Sequence, residues 1–173
     1  RVRRVVDTRG WIASDLHLHT VHSIDSGESV DSRLLSVVGE GTELAVSTDH
    51  NFVTDYAPRV AALGLDEWVN SIVGVEMTTL ESGHFNAYPL RYEPGLVTRG
   101  SIDWAQRTPD DIFGALRERS ALAPEEMVVQ VNHARDSILG YFENYEISGV
   151  TTRPLAGSLL TQRTGPAFRA GAM

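Results

Sequence analysis

Hydrophobic positions fall into short clusters set off by glycine, proline and polar residues, and their spacing alternates between strand-like and helix-like periods. Residues 11–19 read as a strand with Ile12, Leu16 and Leu18 as its apolar members. Residues 30–38 read as a helix. Ser29 caps it, Asp31 lies in its first turn, and Val30, Leu34, Val37 and Val38 form one stripe before Gly39 and Gly41 stop it. Residues 43–48 form a short strand, and residues 58–63 a second helix with Pro58 near its start and Gly64 after its end. A strand over 71–76 leads through Ile72 and Val73 to Glu76. Residues 77–80 and 84–90 flank Glu81, Ser82 and Gly83 and read as a hairpin. After a loop over 91–107, Thr108 caps a third helix, with Pro109 in its first position and Ile112, Phe113 and Leu116 on one face. Pro124 separates this helix from a strand over 127–131.

This alternation predicts an α/β fold, a parallel sheet or barrel, in a single domain over residues 1–173. Residues 1–10 are a lead-in and residues 147–173 an irregular tail, and both ends read as cuts in a longer chain. His17, His19, His50, Glu76 and His133 all fall at the C-terminal ends of predicted strands. That rim is where α/β folds build their sites.

Composition narrows the chemistry. The chain has no cysteine, so any metal must be held by histidine and carboxylate. All fifteen basic residues are arginine, which removes Schiff-base chemistry on lysine, and the net charge of −8 argues against nucleic acid as a partner. No apolar run approaches the ~20 residues that span a bilayer, so no membrane partner is expected. The start carries no signal-peptide pattern. The compartment stays open, with the cytoplasm favoured. Neither a Gly-x-Ser-x-Gly elbow nor a phosphate-cradling glycine loop occurs.

Six histidines remain to be explained. His17 and His19 share one face of a strand and form a ready chelate for a borderline transition metal. The candidate ligands are His17, His19, Asp25, His50, Glu76, His84 and His133. Seven exceed the needs of one ion and imply two or three divalent ions, with Glu76 the natural bridging carboxylate and catalytic residue. Zinc, manganese and iron suit such ligands alike. Asp25 reads either as a ligand or as a turn residue before Ser26. His22 is left out as a loop residue. Asp15 and Asp49 orient imidazoles or cap the next element, and Asn132 is structural. Arg135 is either an exposed charge or the partner of an anionic substrate. A metal-bridging hydroxide would attack phosphorus or an ester or carbamate carbonyl of a small-molecule substrate.

These segments, in this order, resemble a known family. Asp15-Leu-His17-Leu-His19-Thr20, Ser23-Ile-Asp25-Ser-Gly27, Thr48-Asp49-His50-Asn51, Gly74-Val-Glu76 and Asn132-His133 are similar to the motifs of the PHP (polymerase and histidinol phosphatase) domain. Gly83-His84-Phe85-Asn86-Ala87-Tyr88-Pro89 with Asn132-His133-Ala134-Arg135 is similar to its carbaryl-hydrolase branch. The resemblance covers residues 11–142. It implies a distorted, TIM-like (β/α)7 barrel, incomplete at the C-terminus here, with two or three metals at its rim. It also implies that His17, His19 and Glu76 hold one ion, that Glu76, His84 and His133 hold a second, and that Asp25 and His50 belong to a third. Family members hydrolyse phosphoesters, and the carbaryl branch an aryl carbamate. Three departures stand out. Ile24 and Ser26 interrupt the usual Ser-Asp-Gly, Ala134 replaces a common proline, and the family's final Asp-x-His motif is missing, so it should lie past residue 173.

The sequence therefore predicts a metal-dependent hydrolase of a phosphoester or a carboxylic or carbamic ester. The competing reading is a non-catalytic, metal-stabilised PHP module or an inactive fragment. A mononuclear amidohydrolase-like barrel ranks below both, because that class usually needs a carboxylated lysine. The oligomeric state is left open.

Overall fold

A computed structural model of the chain describes residues 7–80, 82–136, 138–151 and 153. Its strands are β1 (Ser14–Leu18), β2 (Leu44–Ser47), β3 (Asn70–Val73), β4 (Val75–Thr78), β5 (His84–Tyr88) and β6 (Val128–Val131). Its α-helices are α1 (Val30–Gly39), α2 (Ala57–Leu63), α3 (Pro109–Glu118) and α4 (Tyr141–Asn144). Two of these helices start as the sequence predicts. Ser29 accepts from the Ser32 amide, and Thr108 and Asp111 form a reciprocal capping box.

The first strand is shorter than predicted. It begins at Ser14, and Trp11 and Ile12 are largely exposed rather than members of an apolar strand face. The predicted strand over 71–76 is in fact two strands. β3 ends at Val73, Gly74 interrupts the pairing, and β4 begins at Val75.

The (β/α)7 barrel implied by the family resemblance is not what forms. The described strands make two three-stranded sheets, ordered β1-β2-β3 and β4-β5-β6. The first is parallel throughout. In the second, β4 pairs antiparallel with β5, and β5 antiparallel with β6. The reason lies in connection length. A parallel neighbour needs a crossover of about a dozen residues; β4 continues β3 in the same direction after Gly74, parallel to the end of β2, whereas β5 follows β4 after a short hairpin loop and so runs antiparallel to it. β6 does follow a helix, but it pairs with β5, which has already reversed direction.

The sheets meet where β2 runs out. Its register with β3 extends to Ser47 opposite Val73. Beyond that, His50 bridges in parallel to Glu76 of β4. The Asn51 amide donates to the Glu76 carbonyl at 2.9 Å, and the Glu76 amide to the Asp49 carbonyl at 3.2 Å. Gly74 is where the neighbour changes from β3 to β4. A Cβ there would lie 2.9 Å from both the Ala87 and Ser47 carbonyl oxygens.

Each sheet buries its own core. For the first, Leu18 of β1, Ala45 of β2 and Val69, just ahead of β3, pack with Leu34 and Val37 of α1 and Val60 of α2. Val75, Met77, Phe85 and Ala87 of the second pack with Phe113 and Leu116 of α3 and Tyr141 of α4. Ile147, predicted to open the irregular tail, is buried in this second core. The rest of that tail from residue 154, and the lead-in through residue 6, lie outside the described residues.

Gly74→Ala is expected to lower unfolding free energy by about 1–3 kcal/mol, the usual cost of forcing a group into filled space. Gly114→Ala, in the middle of α3 with nothing within 4 Å of the added Cβ, is expected to stabilise by about 0.5–1 kcal/mol. Urea denaturation of both variants measures the contrast.

Candidate metal centre

The ends of four strands, β1, β2, β5 and β6, deliver five histidines to one place beside Glu76 of β4. His17 lies in β1 and His19 just beyond it, while His50 follows β2 and bridges to Glu76 of β4. β5 runs the other way, so its first residue, His84, faces Thr78 at the end of β4. β6 reverses again, and His133 lies two residues past its end. Reversal of β5 thus keeps all the ligand candidates at one edge without a parallel barrel.

At the centre is Glu76, fully buried. Its Oε2 is approached by His17 Nε2 at 3.2 Å, His19 Nε2 at 3.0 Å and His50 Nδ1 at 3.0 Å. Its Oε1 is approached by His84 Nδ1 at 3.1 Å and His133 Nε2 at 3.5 Å. The five imidazoles close a ring around it. Successive centroids from His17 through His19, His50, His84 and His133 are 4.9, 4.4, 5.4 and 4.7 Å apart, and His133 returns to His17 at 6.4 Å. Asp25 caps one side. Its carboxylate lies 3.0 Å from His19 Nδ1 and 3.3 Å from His50 Nε2.

The contacts have the character of a ligand set more than of a hydrogen-bond network. Glu76 Oε2 has no hydrogen bond of acceptable geometry despite three nearby ring nitrogens, and buried His84 Nε2 has none either. The Nε2 atoms of His17 and His19 face each other at 3.0 Å. Buried polar atoms left in this way carry a substantial desolvation cost, which a divalent cation between them would remove. Three overlapping groups bring their donor atoms close enough to share an ion: His17, His19 and Glu76; His19, Asp25 and His50; and His50, Glu76 and His84. The donors, imidazole and carboxylate only, fit zinc, manganese or iron.

The six residues His17, His19, Asp25, His50, Glu76 and His84 come together, and His133 completes the ring at its open edge. His133 adopts a φ of +24°, unusual for a residue other than glycine. Arg135 donates to Glu143 at 3.2 Å and lies over the Phe142 ring. His22 stacks on Phe52 at 4.7 Å. Asp49 touches no imidazole among the described residues. Buried, it accepts from the Thr20 amide at 2.6 Å and from the hydroxyls of Thr20, Ser23 and Thr54. Ser23 in turn accepts from the His50 amide at 2.9 Å. Asp49 therefore ties the loop that carries Asp25 to the strand end that carries His50. Asp15 accepts from the His17 amide at 3.1 Å.

Sequence reasoning passed over Asn86 and Thr78 and treated Asn132 as purely structural. The Asn132 side chain donates to Glu76 Oε1 at 2.8 Å, and Thr78 Oγ1 hydrogen-bonds His50 Nδ1. Asn86 had a legible signal, since it lies two residues after His84 and on a strand shares its face.

Charge follows this geometry. Burial alone would raise the pKa of Glu76, but the imidazoles of His17, His19, His50 and His84 set against its carboxylate hold it well below the carboxylate range. His19 is raised above its ordinary 6.5, chiefly by Glu76 with Asp25 assisting, against the effect of burial. Burial opposes protonation of His50, yet Glu76 raises it too.

No protein-family model matches the chain, and no curated protein matches it.

Protons and a bound metal would compete for these rings, which gives a signed pH dependence. In metal-free protein the raised His19 and His50 contribute stability that is complete below about pH 6.5 and is lost as pH rises through their folded values. Ion binding needs neutral rings and strengthens over the same range. Metal-free protein should therefore melt at lower temperature at pH 8.5 than at pH 6. The stabilisation by added zinc or manganese should widen between those pH values. Thermal melts with and without chelator measure both.

Proposed function

We propose that the protein is a metal-dependent hydrolase that cleaves a phosphoester or a carboxylic or carbamic ester, related by its motifs to the PHP domain. The observation that carries this reading is the closed ring of five imidazoles around one buried carboxylate whose Oε2 is left without a hydrogen bond. The resemblance rests on the motifs alone.

Two ions would be held by His17, His19 and Glu76 and by His50, Glu76 and His84, the carboxylate serving both. A bound divalent ion supplies Lewis acidity and makes a coordinated water acidic enough to ionise near neutral pH. The chain supplies the rest. Glu76, fully buried, keeps its charge and fixes the separation of the two ligand groups. Asp25 faces His19 Nδ1 and His50 Nε2, the ring nitrogens turned away from Glu76, and would orient both rings when those nitrogens carry protons. The ring is widest between His17 and His133. There the side chains of His17 and His133 are 34% and 38% exposed, against 5% for His84. A small-molecule ester approaches along this edge. Arg135, two residues beyond His133 and 51% exposed, offers its guanidinium to an anionic substrate in exchange for Glu143. Among the described residues no helix is long and apolar enough to cross a membrane.

Protein loaded with zinc, manganese or iron is expected to hydrolyse at least one of p-nitrophenyl phosphate, a phosphodiester, an aryl ester and an aryl carbamate. Glu76→Ala should lose its bound ions, read by elemental analysis per chain. It should also lose at least about a hundredfold in turnover, since even the outer partners of metal ligands cost 10–100-fold. Stoichiometric metal and strong thermal stabilisation with no turnover on the whole panel would sink the hydrolase reading and leave a metal-stabilised module.

A further inference from the structure

We propose that Asn86 and Asn132 form a carboxamide relay of fixed orientation that positions Glu76, linking the main-chain carbonyl of Leu16 to Glu76 Oε1. Both asparagines are buried, Asn86 completely. Asn86 stands directly across from Glu76 on one side and Gln130 on the other. Side chains paired in this way share one face of the sheet, and Asn132 lies two residues beyond Gln130.

Hydrogen-bond chemistry sets the direction. A carbonyl oxygen can only accept. The Leu16 carbonyl, 2.9 Å from the Asn86 side chain, must therefore face Asn86 Nδ2. Asn86 Oδ1 is left to accept, and it does so from Asn132 Nδ2 at 2.6 Å. A primary amide has two N–H groups, and the second donates to Glu76 Oε1 at 2.8 Å. Asn132 Oδ1 accepts from Gln130 Nε2 at 3.3 Å. Turning Asn132 over would set its oxygen against both Asn86 Oδ1 and Glu76 Oε1, and turning Asn86 over would set oxygen against the Leu16 carbonyl and nitrogen against Asn132 Nδ2.

The relay does two things for the centre. It pins Oε1 with a donor that does not titrate, so that the carboxylate presents Oε2 to His17, His19 and His50. It also links the carboxylate to β1. The pairing of β1 with β2 is irregular between Asp15 and Leu18, and Leu16 immediately precedes His17. Any displacement of the His17–His19 chelate is felt at Glu76.

The metal readout of the test rests on the hydrolase reading above, and the exchange readout does not. In metal-free protein followed by NMR, the side-chain amide protons of Asn132 should exchange slowly with solvent. Asn86→Ser, which leaves Glu76 untouched, should speed that exchange at least about tenfold. Ser120→Ala, at a buried serine whose hydroxyl donates to the Ala123 carbonyl, should leave it unchanged. In chelator competition, Asn86→Ser and Asn132→Ala should each weaken ion binding by about 10–100-fold, and the double variant should add little, as expected for two links in one chain. Unchanged exchange in Asn86→Ser, or wild-type ion affinity in that variant, overturns the proposal, and Asn86→Ser decides alone if Asn132→Ala does not fold. If the wild-type protein takes up no ion, the hydrolase reading fails while the exchange experiment still decides the relay.

Discussion

Everything in this protein answers to a carboxylate with no access to water. An isolated buried carboxylate would take up a proton, because removing its charge from water costs several kcal/mol or more. Glu76 does the reverse and is held far toward the ionised form, because the four imidazoles of His17, His19, His50 and His84 set against it outweigh its burial. The same attraction raises His19 and His50. Carboxylate and rings form one electrostatic unit, and the fold brings the residues of that unit to one edge.

The architecture achieves this with few residues. A parallel sheet carries His17, His19 and His50 to the edge, and a single glycine then hands the chain to a second sheet. Gly74 can do so because its missing Cβ leaves room for two carbonyl oxygens at close range. The hairpin after β4 reverses the chain, so a residue at the start of β5 and another past the end of β6 reach the same edge. Direction of the strands is thus less important than which end of each strand is brought to the centre.

A second layer of polar residues makes the unit rigid. Asp49, fully buried with its oxygens occupied by hydroxyls and an amide, fixes the loop that presents Asp25. Asn51 clasps Thr78 through both its carboxamide atoms, and Thr78 steadies His50. Asn86 and Asn132 fix the carboxylate itself. Partners of this kind orient ligands and exclude alternative rotamers, and a centre lacking them would be present but loose.

The local chemistry was legible in the sequence, as were most of the elements. Ser29 and Thr108 cap the helices they were expected to cap, because capping depends on a few consecutive residues. The six residues His17, His19, Asp25, His50, Glu76 and His84 converge, and they were recognisable because a chain without cysteine that repeatedly places histidine beside carboxylate or carboxamide has few other uses for the pattern. Strand pairing was not legible. Residues 71–76 form an apolar run that looks like one strand, and only the close approach of Ala87 and Ser47 shows why it must break at Gly74. The parallel barrel failed for the same reason: alternation along the chain records the order of elements, whereas neighbours and directions depend on connection lengths and on contacts between residues far apart in sequence. Asn132 likewise acquired its role only in three dimensions, since nothing near it in sequence reveals that its amide will meet Glu76. The sequence by itself determined which groups could hold a metal. The tertiary structure decided which of them face one another and which oxygen of Glu76 is left free, because both follow from long-range packing.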